Sequence, residues 1–214
     1  NWLRGDILGL LCSQLLNIEA IATPVSCNTA IEKSASFKQV KRTKIGSPYV
    51  IAEFAKLAAQ YTSVAGFEAN GGYLLGSDVF FNGKLINSLP TRDALLPALI
   101  LLAQPGHISE FLTKLPQRFT VSDRIKNFPR ESSLEIINAL KKNAHSFLSE
   151  LGYDESYELN LIDGLRIMLA SGDVVHLRPS GNAPELRCYA ECDTTERALL
   201  LVQNTLRIIL SKRL

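Results

Sequence analysis

Long apolar runs are missing from these 214 residues. The longest, at 94–103, is interrupted by Pro97 and falls short of the ~18 residues a membrane helix needs, so a spanning helix is excluded. An excess of one charge is missing too. The 23 basic and 21 acidic residues leave a net +2, too little to argue for nucleic acid or an acidic membrane surface as partner. Histidine is scarce. His107, His145 and His176 are scattered, have no Cys or Asp at ligand spacing, and read as surface or capping residues. Cys12, Cys27, Cys188 and Cys192 form no Cys-x-x-Cys pair. Cys188 and Cys192 sit on one strand pattern, too far apart along an extended chain to bridge. The four read as reduced, mostly buried thiols of a cytoplasmic protein, and no zinc site is expected. The opening Asn-Trp-Leu-Arg-Gly-Asp has neither a basic n-region nor an apolar h-region, so no signal peptide is read. It also lacks an initial Met, so a processed or excised piece is expected. Neither an internal repeat nor a low-complexity segment is visible.

What remains is an ordinary soluble composition, 46% hydrophobic and 21% charged, long enough for one large or two small domains. In chain order, Asp6 is placed to cap a helix over 7–16. Apolar runs at 18–25 and 37–43 read as strands around a brief helix at 29–32. Ser47 followed by Pro48 is a favoured helix start, with Ser47 as the cap and the helix running to about residue 60. Arg42, just before it, reads as a surface charge. Extended stretches follow at 62–67 and 73–76. Asn82-Gly83 between apolar residues predicts a hairpin over 80–86. Thr91-Arg92-Asp93 should cap a helix to about residue 104, which Pro97 either kinks or starts. Strands alternating with helices argue for a three-layer α/β domain over 1–118.

Residues 119–131 read as a linker, punctuated by Ser122-Asp123-Arg124 and Asn127-Phe128-Pro129. A second domain over 132–214 then begins at the capping box Ser132-Ser133-Leu134-Glu135, with a helix running towards Phe147. Strands are expected at 159–164, 165–170, 173–178 and 186–192. A second capping box, Asp193-Thr194-Thr195-Glu196, starts a helix that buries Ala198, Leu199, Val202, Leu206 and Ile209. Helices on an antiparallel sheet make this a smaller α+β domain.

The chemistry concentrates between the last two strands, in Arg178-Pro179-Ser180-Gly181-Asn182-Ala183-Pro184-Glu185-Leu186-Arg187. Two prolines, a glycine and small polar side chains cannot continue a ladder, so they form a loop. Free N–H groups, a hydroxyl, an amide and an arginine at each end are the parts of an anion site. Composition alone favours the plainer reading, a polar hairpin loop with two surface arginines. A second loop, Gly66-Phe67-Glu68-Ala69-Asn70-Gly71-Gly72, sets Glu68 and Asn70 two apart. A carboxylate and an amide suit neighbouring sugar hydroxyls; a turn with a solvated Glu is the alternative.

The first loop resembles Arg-Pro-Ser-Gly-x-x-Pro-x-x-Arg, the phosphate signature of the α-D-phosphohexomutases, the phosphomannomutase and phosphoglucomutase family. The chain keeps Arg178, Ser180, Gly181 and Arg187. It departs at Asn182, where Thr is usual, and at Ala183, where Glu is common. The second loop is similar to the family's Gly-Glu-x-Ser-Gly sugar loop, with Phe67 inserted, Asn70 at the Ser and Gly72 where some members have His. Thr43-Lys44-Ile45-Gly46-Ser47 resembles the family's Thr-Lys-x-Gly-Asp/His loop, which makes Lys44 and Ser47 further candidates. Thr91-Arg92-Asp93 resembles a helix start in the family and is taken as structural. Gly5-Asp6 and the helix after it match the Gly-Asp and helix that follow the hairpin after the family's magnesium loop, so residues 1–118 would be the family's third domain with the end of the second at its start.

The resemblance implies the third and fourth domains of such an enzyme, with the preceding domains of the same polypeptide missing. The family's catalytic Ser-His-Asn-Pro and its magnesium loop Asp-x-Asp-x-Asp-Arg do not occur in this sequence. It therefore implies no catalytic residue and no metal ligand in this chain, with Mg²⁺ held in the parent enzyme. It implies a hexose phosphate partner, of mannose or glucose, bound through Arg178, Ser180, Gly181, Asn182 and Arg187 at the phosphate and Glu68 and Asn70 at the sugar. A free-standing module that senses phosphosugars or anions is the alternative. A nucleic-acid binder using Arg178, Arg187, Arg207, Lys212 and Arg213 is a third reading, disfavoured by the small charge and the lack of interleaved aromatics.

Overall fold

The computed structural model describes residues 3–211. It divides into two compact units, 1–117 and 118–214. Lys212 and Arg213 of the basic tail lie outside the described residues.

The first unit carries a five-stranded sheet in the order β2-β1-β3-β4-β7. Its elements are α1 (Gly5–Leu15), β1 (Ala20–Pro24), α2 (Ala30–Lys33), β2 (Gln39–Thr43), α3 (Ser47–Ala58), β3 (Val64–Phe67), β4 (Tyr73–Leu75), β5 (Val79–Phe81), β6 (Lys84–Ile86), β7 (Leu89–Asp93), α4 (Leu96–Leu102) and α5 (Ile108–Thr113). Strand β1 is parallel to β2 and β3, whereas β4 runs antiparallel to β3 and β7. Strand β1 is buried on both sides, as expected when helices cover both faces of a parallel sheet. On one face Ile21, Ala65 and Phe67 pack with Leu10, Leu11 and Cys12 of α1 and with Ile100 and Leu101 of α4. On the other, Ala20, Ala22 and Val64 meet Val50, Phe54 and Leu57 of α3. This is the expected three-layer α/β arrangement.

Several local expectations need correction. Asp6 does not cap α1 from outside; it is fully buried inside the first turn. Its carboxylate accepts from Arg4 and from the Ile7 and Asn28 N–H groups, tying α1 to the turn before α2. Arg42 is no surface charge. It donates to the carbonyls of Pro24, Cys27 and Asn28 and to both oxygens of Glu32. Of the two outcomes expected for Pro97 the second holds, since it lies in the first turn of α4, but α4 ends at Leu102, short of residue 104. Asp93 does cap this start, accepting from the Leu95 and Leu96 N–H groups. The hairpin forms as expected, with Asn82 and Gly83 at φ 50 and 73, the pair of positive angles a tight β-turn requires.

The second unit is a five-stranded antiparallel sheet, β8-β12-β11-β10-β9, with helices on one face. Its elements are β8 (Phe119–Lys126), α6 (Arg130–Lys142), α7 (Ala144–Glu150), β9 (Tyr157–Asn160), β10 (Leu165–Leu169), β11 (Val174–Pro179), β12 (Glu185–Cys192) and α8 (Thr195–Ser211). Leu165, Ile167, Val175, Leu177, Leu186, Cys188 and Ala190 face Ile137, Phe147, Val202 and Ile209 of the helices. The stretch expected to be a linker is instead β8, eight residues paired along their whole length with β12. Just before it, Arg118 is buried and bonded to Glu191. Helix α6 starts two residues before the expected capping box, and the Ser133 hydroxyl donates to the Pro129 carbonyl. The continuous helix expected through Phe147 breaks at Asn143. In α8 Leu199 is exposed, and Leu201 takes its place in the core.

Candidate functional site

In the second unit the phosphate-like loop is short. Strand β11 continues through Pro179 and β12 resumes at Glu185, leaving residues 180–184 as the turn. Ser180 is buried, and its N–H donates to the Glu185 carbonyl at 2.8 Å. The Glu185 N–H donates to the Ala183 carbonyl, and the Phe128 N–H to the Pro184 carbonyl, both at 2.8 Å. These bonds pin the loop at both ends while Gly181 and Asn182 stay exposed. A Cβ at Gly181 would meet nothing within 4 Å, so its backbone is open to an approaching group.

The two arginines are brought together. Arg178 and Arg187 are Cα partners across β11 and β12 and share one face of the sheet. Both Nε groups are buried and make no hydrogen bond among the described residues. Asp163 Oδ1 lies 3.5 Å from Arg178 Nε, and Glu185 Oε2 lies 3.6 Å from Arg187 Nη2. The same face carries His176, which is buried rather than at the surface as expected. Its ring stacks on Tyr189 with centroids 5.5 Å apart, and Nε2 lies 2.6 Å from the Asp163 carbonyl. Burial pushes its pKa down to about 4, so the imidazole is neutral and its Nε2–H is the donor.

In the first unit Glu68 is buried at the end of β3. The Ser47 hydroxyl donates to Glu68 Oε2 at 2.6 Å. Ser47 is therefore the first residue of α3 and a partner of the carboxylate, not the helix cap, which falls at Gly46 with no side-chain bond. Arg92 Nε lies 3.5 Å from the same Glu68 oxygen, on a side chain 58% exposed. Sequence reasoning assigned Arg92 to a helix start and missed this; the neighbouring Asp93, a true cap, masked it. Asn70 is exposed, and its Oδ1 accepts from the Gly72 N–H at 3.0 Å. Lys44 is exposed and stands 5.7 Å above the Tyr49 ring. The first unit thus assembles Ser47, Glu68 and Arg92 around one carboxylate, with Asn70 beside them on the loop.

All four cysteines are free and buried. Burial raises the thiols of Cys12, Cys27 and Cys192 to about 12, and that of Cys188 at least as strongly. None is a nucleophile at neutral pH. Among the described residues no group of three His, Cys, Asp or Glu side chains is placed to hold a metal ion, and no helix is long and apolar enough to cross a membrane.

Comparison with known proteins places both units in one family. Residues 4–119 match the family described as phosphoglucomutase/phosphomannomutase, alpha/beta/alpha domain III, and residues 119–208 match its C-terminal domain. The chain belongs to the phosphoglucomutase/phosphomannomutase family. It is 53% identical to a phosphomannomutase of Salmonella muenchen over 99% of this chain and 45% of that protein. It is 41% identical to a phosphomannomutase of Sinorhizobium fredii, over 97% of this chain and 45% of that one. The chain thus spans about half the length of these relatives. The fold is shared with a family protein of Burkholderia thailandensis at TM-score 0.67 and 17% identity, over 98% of this chain and 42% of that one. It is shared also with the N-acetylphosphoglucosamine mutase of Aspergillus fumigatus, solved with GlcNAc-6P and magnesium, at TM-score 0.57 and 15% identity, over 98% of this chain and 43% of that one.

Proposed function

We propose that this chain is the substrate-binding portion of a phosphohexomutase acting on mannose or glucose phosphates. Arg178, Ser180, Gly181, Asn182 and Arg187 hold the phosphate that does not react. Glu68, oriented by Ser47, and Asn70 engage the sugar hydroxyls. The observation that carries the reading is the Arg178–Arg187 pair. Like charges directly opposed on neighbouring strands repel, and buried donors without partners cost stability. A phosphate dianion offsets both at once through charge-assisted, bidentate bonds. Mannose phosphates come first because the two relatives that are most similar in sequence among those described are phosphomannomutases.

The phosphoryl group would move between the sugar and a phosphoserine outside this chain, through a bisphosphate intermediate that flips before returning a phosphoryl group. Such transfers depend on positioning and charge stabilisation. A firm grip on the remote phosphate uses binding energy to align the reacting end. Mg²⁺ would assist at that serine; no residue of this chain is assigned to it. Buried, protonated thiols fit a reducing compartment such as the cytoplasm.

Calorimetric titration of the 214-residue chain with mannose 6-phosphate tests the reading. Arg178→Ala should weaken binding by roughly tenfold or more, the loss of one charge-assisted contact. Mannose without phosphate should bind far more weakly. Equal affinity of wild type and Arg178→Ala overturns the assignment.

A further inference from the structure

The arginine row on the sheet does not stop at Arg187. Across the next ladder, Arg187 is the Cα partner of Arg124 on β8, so Arg178, Arg187 and Arg124 stand side by side on three adjacent strands and one face. Arg124 is 47% exposed. It lines a depression of about 410 Å³ together with Ser122, Asp123, Arg187 and Tyr189. One carboxylate serves Arg187 in the middle of the row and Arg124 at its β8 end. Glu185 lies 3.4 Å from Arg124 Nε through Oε1 and 3.6 Å from Arg187 Nη2 through Oε2. Both distances exceed that of a good charge-assisted hydrogen bond, about 2.7–2.9 Å. The carboxylate therefore neutralises both guanidinium groups without saturating either.

Glu185 is also part of the loop's frame. Its carbonyl and N–H fix the turn through Ser180 and Ala183, so the backbone stays in place whatever its side chain does. Resting on the phosphate-loop reading above, we propose that Arg124 is a third arginine of the phosphate site, and that Glu185 is its exchangeable counter-ion, occupying the arginines until a phosphate displaces it. A phosphate monoester carries about −1.5 to −2 charge at neutral pH. It brings three acceptor oxygens against the two of a carboxylate, so the exchange favours the ligand. An uncharged or singly charged sugar lacks that advantage. The counter-ion thus biases the site towards dianionic phosphate and, with Asp163 beside Arg178, keeps three aligned cations tolerable when it is empty.

The test is a double-mutant cycle on the 214-residue chain, with inorganic phosphate as the probe, followed by ³¹P NMR or calorimetry. Glu185→Gln should tighten phosphate binding several-fold by removing the competing charge. Arg124→Gln should weaken it about three- to tenfold, as expected for a half-exposed charge-assisted contact, and Arg124→Lys should restore part of the loss. Arg124→Gln should also weaken binding in the Glu185→Gln background. A loss that vanishes there means Arg124 only restrains Glu185, which overturns its role as a ligand. Unchanged or weaker binding by Glu185→Gln overturns the counter-ion. Melting temperatures of the variants identify any that fail to fold, and for those Arg124→Lys and Glu185→Asp decide. Arg178→Ala separates the two levels. If it abolishes binding while the cycle is flat, only this inference falls; if wild type binds no phosphate, or Arg178→Ala binds it normally, the phosphate-loop reading falls with it.

Discussion

His176 lies two residues before Arg178 on β11 and titrates far from its ordinary range. Burial pushes its pKa from 6.5 to about 4, with the charges of Arg166 and Arg178 acting the same way and Asp163 opposing. The unfolded chain therefore binds a proton below about pH 6.5 that the folded chain refuses until about pH 4. Stability from this group is fully present above the unfolded pKa and is lost as pH falls through that window, by up to about 3 kcal/mol. His176→Gln keeps an N–H donor but cannot titrate. Melting followed from about pH 7 down to about pH 4.5 should show a shallower decline for this variant than for wild type. An unchanged slope would mean that His176 is protonated in the fold. The residue escaped sequence reasoning because a lone His on an alternating strand looks the same whether its face is solvated or, as here, closed by Tyr189 and the Asp163 turn.

At the level of elements, the start of α1 is decided by packing against propensity. Gly5 is the first helical residue, and a Cβ there would stand 2.0 Å from Gly71 N and 2.8 Å from the Ala69 carbonyl. Helix propensity alone says that Gly→Ala stabilises by up to about 1 kcal/mol. The contacts are backbone atoms that cannot rotate away, so Gly5→Ala should instead destabilise by about 1–3 kcal/mol and weaken sugar-phosphate binding by shifting the loop that carries Glu68. A melting temperature at or above wild type would refute this. Elements with strong local signals were legible: the Asn82-Gly83 hairpin, the start of α3 at Ser47-Pro48, and the strands flanking residues 180–184. Strand β8 was not. It is an edge strand whose period-two pattern of Phe119, Val121 and Ile125 is interrupted by Asp123, and Ser122-Asp123-Arg124 in its middle looks like turn chemistry. Arg42 was misread for a related reason. Its place on a strand suggested solvent, but three carbonyls of the neighbouring turn converge on its guanidinium. Of the proposed site, Arg178 with Arg187 and Glu68 with Asn70 were singled out by resemblance to the family's motifs, because composition alone favoured plain polar loops. The partners Ser47 and Arg92 of Glu68 come from different elements, and only the fold brings them together.

The whole molecule is two units, each with its own core. Each unit presents a different chemistry, a carboxylate cluster in the first and an arginine row in the second. Among the described residues the four thiols are buried and protonated, and His176 is buried and stacked on Tyr189. On the proposed reading, with the phosphoserine outside this chain, the prediction is binding without turnover. In a coupled assay with mannose 1-phosphate, Mg²⁺ and a hexose bisphosphate activator, the chain alone should form no mannose 6-phosphate above background, while still binding it by calorimetry. Joining it to the portion of the Salmonella muenchen relative that precedes the matched region should restore turnover, because that portion would bring the phosphoserine to a substrate already held at its remote phosphate. In the joined protein Arg178→Ala should lower kcat/KM by about the factor it costs in binding to the isolated chain, since the grip persists into the transition state. Turnover by the chain alone would require a nucleophile within it. A joined protein whose kcat/KM ignores Arg178 would mean that the arginine row serves another anion.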